Sequence, residues 1–330
     1  MADVVLELAD LRTHFFTDGG EIPAVDGVSI KVYKGEVVGI VGESGCGKSV
    51  TSLSVMKLVP SPPGKVVDGQ ILFKGEDLAQ ASIKRMRKIR GNEIAMIFQE
   101  PMTSLNPLFT IGDQIMEAIR NHNSISKRQA KERAVEMLNK VGIPRADQIV
   151  DEYPHQLSGG MRQRVMIAIA MSCDPEVLIA DEPTTALDVT IQAQILDLMR
   201  TLNKENDTAI MLITHDLGVV AEICDRVVVM YAGKVVEEGD VRTILKAPEH
   251  PYTKGLIRSL PKIHQKEEQL YSIPGQVPKP GSIKVGCRFA ARCESVMTKC
   301  YEEDPALISI KDGHHCRCFL YAEEGGQNVG

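Results

Sequence analysis

Residues 42–49 read G-E-S-G-C-G-K-S and match the pattern G-x-x-x-x-G-K-[ST]. Glycines allow successive backbone N–H groups to turn inward around phosphate oxygens, and the N-terminus of a following helix adds a positive dipole. In such a loop Lys48 reaches the β- and γ-phosphates, and the Ser49 hydroxyl ligates Mg²⁺. An apolar strand-like run precedes the loop and a helical pattern begins at Lys48, which argues against a chance match. The spacing predicts a nucleoside triphosphate site.

A second motif supplies carboxylates. The apolar run 176–180 ends in Asp181-Glu182, so both acids are predicted at the carboxyl end of a strand, where α/β proteins bind ligands. Asp181 would hold Mg²⁺ directly or through water, and Glu182 would orient and polarise the attacking water. Alone, the pair would be an ordinary acidic turn. Beside a phosphate loop, it predicts hydrolysis of the nucleotide.

A third motif, L-S-G-G-M at 157–161, places a serine before two glycines at the start of an apolar helix. Exposed N–H groups and a hydroxyl at a helix start form another anion cradle. Two phosphate cradles so far apart in one chain are explained by a dimer in which each cradle closes on the nucleotide of the other subunit.

The elements that must position these motifs alternate between strand and helix. Unbroken apolar runs are predicted to be strands, and the alternation indicates a parallel sheet covered on both faces. The strand-like runs are 4–8, 28–32, 36–41, 70–73, 93–98, 176–180, 208–214 and 226–231. A helical stretch over about 100–160 interrupts the alternation and predicts an inserted subdomain, and its apolar face consists of Ala130, Ala134, Met137, Leu138 and Val141.

Composition narrows the class of protein. The chain has 330 residues, 43% of them hydrophobic, which is typical of a globular protein. Its apolar runs are too short to span a membrane. Its first residues lack the pattern of a signal peptide, so export by that route is not expected. A net charge of −6 argues against a nucleic-acid-binding surface.

Taken together, the motifs resemble those of the ATP-binding cassette (ABC) ATPases. Their order is the phosphate loop, Gln99, L-S-G-G at 157–160, Asp181-Glu182, T-A-L-D at 185–188, and then His215. The resemblance covers about residues 1–240. It implies an α/β fold with a P-loop NTPase (RecA-like) ABC core and a helical subdomain, which binds ATP and Mg²⁺ and pairs with a second ABC ATPase subunit.

The resemblance also assigns roles residue by residue. Gln99 would contact Mg²⁺ and the water, His215 would contact the γ-phosphate and hold Glu182, and Asp188 would couple the two sites. Phe15 would stack on adenine, although Phe16 beside it leaves that assignment open and either could be a core residue. The full set implied to bind nucleotide is Phe15, Gly42, Ser44, Gly45, Cys46, Gly47, Lys48, Ser49, Val50, Gln99, Ser158, Gly159, Gly160 and Asp188. The implied Mg²⁺ ligands are Ser49, Gln99 and Asp181, and the implied catalytic residues are Lys48, Gln99, Glu182 and His215.

Further motifs narrow the resemblance to the ATPase subunits of bacterial dipeptide, oligopeptide and nickel importers. They are Q-E-P-M-T-S-L-N-P at 99–107, Y-P-H-Q-L-S-G-G-M-R-Q-R at 153–164 and H-P-Y-T-K-G-L-I-R-S-L-P at 250–261. The resemblance implies a peripheral subunit on the cytoplasmic face of the membrane, docked on two transmembrane permeases and served by an extracytoplasmic solute-binding protein. It leaves open which solute is carried and whether the two ATPases are identical. A soluble ABC protein that acts on DNA or ribosomes is the rival, and it would need a basic surface.

Five of the eight cysteines fall near the chain's end, at 287, 293, 300, 316 and 318. Without an export signal, such a group predicts metal ligation rather than disulfides. Thiolates suit Zn²⁺ or an iron–sulfur cluster. The wide spacing, and the resemblance, favour a [4Fe-4S] cluster on Cys287, Cys293, Cys300 and Cys318, with Cys316 as an alternative fourth ligand. Zn²⁺ and unligated thiols remain the alternatives.

These patterns predict two domains. Residues 1–246 would form the ABC ATPase domain, with the helical subdomain at about 100–160. Residues 247–330, which are rich in proline, would form a small irregular Cys-rich extension.

Overall fold

The computed structural model describes residues 3–99, 104–185, 187–260, 271–321 and 327–328. Motif residues 100–103, Ala186 and Pro261 therefore lie outside the described residues. The chain divides into two compact units. The first unit comprises residues 1–6, 31–37 and 73–213, and the second comprises 7–30, 38–72 and 214–330. The predicted boundary at 246/247 stays a prediction.

The strands in chain order are β1 Val4–Thr17, β2 Gly20–Tyr33, β3 Val37–Val41, β4 Gly64–Phe73, β5 Glu76–Asp77, β6 Ile94–Ile97, β7 Val177–Asp181, β8 Ala209–Ile213, β9 Arg226–Tyr231, β10 Lys234–Asp240, β11 Ile308–Lys311, β12 His314–Cys316 and β13 Gln327–Asn328. The α-helices are α1 Lys48–Val55, α2 Ile83–Ile89, α3 Ile111–His122, α4 Lys127–Lys140, α5 Ala146–Ile149, α6 Gly159–Met171, α7 Val189–Asn206, α8 Leu217–Ile223, α9 Val241–Lys246, α10 Pro251–Arg258 and α11 Lys299–Glu302. In the described residues, no helix combines the length and the apolar character that a membrane crossing requires.

The first unit is built on parallel strands. Strands β6, β7 and β8 pair in parallel in that order. Every residue of β7 and β8 is buried, as expected for a parallel sheet covered on both faces. The predicted parallel arrangement of these strands is therefore confirmed.

The helical segment of the first unit follows its apolar pattern. The predicted inner face of α4, from Ala130 to Val141, is at most 1% exposed. A capping box starts this helix, because the Ser126 hydroxyl accepts from the Gln129 N–H while the Gln129 side chain accepts from the Ser126 N–H. Burial of one face and capping of the first turn together explain why this segment is helical.

The second unit carries a mixed sheet in the order β13-β11-β12-β10-β9-β3. Strands β3 and β9 are parallel, whereas the pairs from β9 to β13 are antiparallel. A further sheet contains β2, β1 and β4 in that order.

The segment after residue 247 is more regular than its prolines predict. It contains helix α10 and a hairpin of β11 and β12, and β12 extends the sheet of the second unit by pairing Cys316 with Glu237 of β10. The expectation that residues 247–330 would be irregular was therefore wrong, because they contain regular secondary structure. Strand β12 is only three residues long, too short for a sequence pattern to reveal.

Candidate functional site

The phosphate loop connects β3 to α1 in the second unit and closes into a tight cradle. Gly42 and Gly47 have φ values of 153° and 102°, a region that L side chains rarely adopt. A Cβ atom on Gly42 would lie 2.2 Å from the Met230 carbonyl oxygen, and one on Gly47 would lie 2.4 Å from the Ala24 carbonyl oxygen. Only glycine fits at either position, as the motif requires. The tip of the loop, Ser44 and Gly45, is exposed.

Lys48, the first residue of α1, folds back onto this loop through its side chain. Its Nζ donates to the carbonyl oxygens of Gly42 at 2.7 Å and Glu43 at 3.1 Å, and the residue is 6% exposed. Cys46 is completely buried, and burial raises the pKa of its thiol. Cys46 is therefore a buried packing residue of the loop, and its Sγ also accepts from Lys48 Nζ at 3.8 Å. Ser49 and Val50 follow at the start of the helix and are partly exposed.

The predicted adenine-stacking residue lies near the end of β1. Phe15 is half-buried, and a Cβ on Gly64 would approach its ring to 3.0 Å. Phe16 is 49% exposed. Phe15 thus packs against the chain with part of its ring accessible, and its stacking role stays a prediction.

In the first unit, the structure brings Gln99 and Glu182 together. Gln99 Nε2 donates to Glu182 Oε2 at 3.0 Å, and Thr185 Oγ1 donates to the same oxygen at 2.9 Å. Glu182 itself has a φ of 49°, and its N–H donates to the Ile213 carbonyl. Asp181 ends β7 and is 4% exposed. The site therefore holds a carboxylate that is oriented by two hydrogen bonds and follows a buried acid in the chain, and an oriented carboxylate is able to serve as a general base.

The L-S-G-G segment starts α6 in the same unit. The Ser158 hydroxyl accepts from the Met161 N–H at 3.3 Å, which caps the helix, and Gly159 begins it. A Cβ on Gly159 would meet nothing within 4 Å, so this face is open. Asp188 is exposed and caps α7 by accepting from the Ile191 N–H. Ser158 and Gly159 of the predicted cradle are thus accessible at a helix N-terminus, and so is Asp188, the predicted coupling residue.

His215 belongs to the second unit and follows Thr214, whereas Glu182 belongs to the first. Its ring is exposed. Its predicted role toward Glu182 and the γ-phosphate stays a prediction.

The four preferred tail cysteines line one small cavity in the second unit. The wall includes Cys287, Cys293, Cys300 and Cys318, together with the buried His250. Cys316 is not on that wall, and it lies fully buried in β12. Among the described residues, no His, Cys, Asp or Glu side chains are set in the arrangement of a formed metal site. The four cysteines nevertheless border one cavity, and thiols are the donor type that a zinc ion or an iron–sulfur cluster takes.

Burial governs the chemistry of these thiols. It raises the pKa of Cys287 and of Cys318 to about 11, with smaller effects from the neighbouring cysteines. Burial also raises the pKa of Cys293. As metal-free groups they would be protonated at neutral pH, since only a bound cation would compensate the buried thiolate charge.

Two residues that sequence reasoning missed, Tyr252 and Arg292, hold the phosphate loop at Glu43. The Tyr252 hydroxyl accepts from the Glu43 N–H at 2.9 Å, and Arg292 forms an ion pair with the Glu43 carboxylate at 2.7 Å. Tyr252 belongs to H-P-Y-T-K-G-L, which carried the resemblance but indicated no contact. Glu43 is a variable position of the loop pattern, and no local signal links it to a partner so distant in sequence.

Comparison with known proteins identifies the family and the fold. A family model described as ABC transporter matches residues 25–185, and another described as oligopeptide/dipeptide transporter, C-terminal region, matches residues 236–300. The dimeric structure of MJ0796, a bacterial ABC transporter cassette, superposes with a TM-score of 0.64 at 28% identity and covers 72% of this chain and 99% of that one. A post-hydrolysis MJ0796 dimer with ADP and Pi superposes with a TM-score of 0.65 over the same shares of the two chains.

Relatives extend over almost the whole length of the chain. The oligopeptide transport ATP-binding protein AppD of Bacillus subtilis is 56% identical over 98% of both chains. The dipeptide transport ATP-binding protein DppD of the same organism is 52% identical over 96% of this chain and 94% of its own. The chain therefore belongs to the ATP-binding subunits of the oligopeptide/dipeptide ABC transporter family and is an ABC-type ATPase.

Proposed function

We propose that this chain hydrolyses ATP to drive the uptake of di- and oligopeptides. The observation that carries the proposal is similarity to peptide-transport ATP-binding proteins across nearly the full chain, the C-terminal region included. The alternative within the same family is uptake of nickel or another solute. A soluble ABC ATPase without a transport role is a more distant alternative.

In this proposal the motif residues divide the roles at the nucleotide. In the cradle 42–49, Lys48 would neutralise the phosphates and Ser49 would hold Mg²⁺, with Phe15 at the adenine and His215 at the γ-phosphate. Asp181 and Gln99 would act toward Mg²⁺, and Glu182 would act toward the water. The fixed orientation of the Glu182 carboxylate by Gln99 and Thr185 supports its role as the base.

We further propose a head-to-tail pair of ATPase subunits, identical or homologous. In it, Ser158, Gly159 and Gly160 of one subunit bind the γ-phosphate held by the other, and Asp188 couples the two sites. The open face at Gly159 and the accessible helix start support this assignment. ATP binding would close the pair, and hydrolysis would reopen it.

Two permease subunits, served by an extracytoplasmic solute-binding protein, would supply the pore, with this chain on the cytoplasmic face of the membrane. Leu108 and Phe109, in the helical segment, are large apolar side chains that are 80% and 53% exposed. Exposed apolar side chains this close together favour a protein partner.

The test is reconstitution of the chain with its permeases and binding protein in liposomes. We expect ATP-dependent accumulation of a labelled dipeptide or oligopeptide, and a peptide-stimulated ATPase rate. Accumulation of Ni²⁺ without peptide would favour the alternative solute. Failure to co-purify with any permease would favour the soluble ABC ATPase.

We also propose that the tail cysteines hold a [4Fe-4S] cluster, with Zn²⁺ as the alternative. The position of Cys287, Cys293, Cys300 and Cys318 on the wall of one cavity supports their assignment as the ligands. Cys316, outside the cavity wall, would remain a free thiol. The cluster would stabilise the C-terminal fold, since the thiols belong to segments that share little regular structure.

Anaerobically purified protein should therefore be brown, absorb near ~400 nm and contain about four irons per chain. Cys318→Ser should lose most of the iron, whereas Cys316→Ser, which alters a buried neighbour two residues away, should keep it. Iron and zinc analysis of both variants checks this prediction. A colourless protein with one zinc per chain would contradict the cluster, and iron loss only in the Cys316 variant would reverse the ligand assignment.

A further inference from the structure

The phosphate loop is held at Glu43 by three separate interactions. The Lys48 ammonium donates to its carbonyl oxygen at 3.1 Å, the Tyr252 hydroxyl accepts from its N–H at 2.9 Å, and the Arg292 guanidinium pairs with its carboxylate. Two of these three partners lie after residue 247. The nucleotide cradle is therefore fixed in part by the C-terminal region of the chain.

The pair between Arg292 and Glu43 is bidentate. Arg292 Nη1 donates to Glu43 Oε2 at 2.7 Å, and Nη2 donates to Oε1 at 3.1 Å. The Arg292 side chain is 5% exposed, whereas the Glu43 side chain is 30% exposed. A fork-to-fork pair with one partner buried fixes both the distance and the angle of the loop residue.

Arg292 is itself rigidly placed. Its Nε donates to the Pro274 carbonyl at 2.9 Å, and Nη2 also donates to the Ile273 carbonyl at 3.3 Å. Its guanidinium carbon lies 5.8 Å from the centre of the Tyr231 ring and 5.9 Å from that of Phe289. Because the Tyr231 and Phe289 side chains are buried, Arg292 is held in a defined position beside the loop.

Phe289 also connects the surroundings of Arg292 to the cavity that the cysteines line. Phe289 lies on the wall of that cavity, and its ring centre is 5.4 Å from that of Tyr252 and 5.2 Å from that of Tyr231. Arg292 directly precedes Cys293 in the chain. Both residues that hold Glu43 thus pack against Phe289, a residue of the cavity wall.

We infer that the C-terminal region acts on the ATP site through Arg292, a positioning residue that holds the phosphate loop in its binding conformation by pairing with Glu43. This inference rests on the phosphate-binding role proposed for residues 42–49. It does not depend on which solute is transported. A loop that populates the binding conformation less often binds nucleotide more weakly by that fraction.

The test is Arg292→Met, which keeps the length of the side chain and removes the guanidinium. We expect its Kd for MgATP to rise about tenfold, because part of the binding energy is then spent on ordering the loop. Hydrogen exchange of the loop amides in the nucleotide-free protein should rise as well. Arg292→Lys keeps the charge but loses the fork and should restore part of the affinity.

Arg258→Met is the matched control. Arg258 is also in the C-terminal region and also pairs with a glutamate, Glu294, at 3.2 Å, but its side chain is 54% exposed. Arg258→Met should leave both the Kd for MgATP and the hydrogen exchange of the loop amides within about twofold of the parent protein, as expected when an exposed ion pair is removed. An effect of Arg258→Met equal to that of Arg292→Met would overturn the inference, since it would indicate general destabilisation of the region.

Glu43→Gln tests the pair from the loop side, in case the arginine variant folds poorly. It should weaken MgATP binding in the same direction, and the double variant with Arg292→Met should be no weaker than the more affected single variant. Additive effects would overturn the inference. Lys48→Ala distinguishes the inference about Arg292 from the phosphate-binding role of residues 42–49. If Lys48→Ala loses nucleotide while Arg292→Met binds it normally, only the inference about Arg292 fails. If Lys48→Ala binds nucleotide normally, the proposed phosphate-binding role of the loop fails.

Discussion

Replacing Glu182 by glutamine is expected to lower the ATPase rate at least a hundredfold while MgATP binding is retained. The amide keeps the size of the side chain and can still face the Gln99 and Thr185 donors, which lie 3.0 Å and 2.9 Å from the carboxylate. It cannot accept a proton from water at neutral pH, and loss of a general base costs about 10²–10⁴ in rate. Phosphate release under saturating ATP measures the effect.

The same variant should trap the closed pair of subunits, because nucleotide stays bound between them. Size-exclusion chromatography with MgATP should therefore show a dimer that retains ATP. If the natural partner is a homologous ATPase, the dimer should form only when that chain is added. Hydrolysis within twofold of the parent rate would refute the assignment of Glu182 as the base.

Glu176→Gln is the matched control for this experiment. Glu176 lies just before β7, at the opposite end of the strand from Glu182, and its exposed carboxylate pairs with Lys74 at 2.9 Å. Removing a surface ion pair changes stability by about 1 kcal/mol or less. The control should therefore hydrolyse ATP at the parent rate.

Sequence reasoning succeeds where the chemistry is local. The phosphate loop, the serine cap of α6 and the buried strand before Asp181 each occupy a single short stretch, so their spacing already fixes their geometry. The hydrogen bond between Gln99 and Glu182 joins residues far apart in sequence. Spacing alone could not predict it, and the two residues were linked only through the family resemblance.

Contacts between residues that are far apart in the sequence could not be predicted from the sequence. Nothing in the variable position Glu43 selects Arg292 among the 38 basic residues of the chain, and the partner is set by how the C-terminal region packs. The preference for Cys318 over Cys316 came from the family resemblance, because the two cysteines are only two positions apart. Their different surroundings are visible only in the structure, where Cys316 pairs with β10 and Cys318 lies on the cavity wall.

Replacing Lys48 by alanine is expected to affect binding rather than chemistry, and to weaken MgATP binding about a hundredfold. The Lys48 ammonium is 2.7 Å from the Gly42 carbonyl oxygen and 3.1 Å from that of Glu43, so it lies inside the loop that is proposed to bind the phosphates. A hydrogen bond to a charged group contributes about 1.5–3 kcal/mol, and a hundredfold change in Kd corresponds to about 2.7 kcal/mol.

Isothermal titration with MgATP measures this loss, and a thermal melt without nucleotide shows whether the loop still folds. Lys65→Ala, which removes an exposed lysine of β4 in the same unit, is the control and should bind MgATP as the parent does. Glu182→Gln and Lys48→Ala should thus have opposite signatures, one retaining ATP without turnover and the other losing ATP. Equal affinity of Lys48→Ala and the parent protein would show that residues 42–49 do not bind the phosphates.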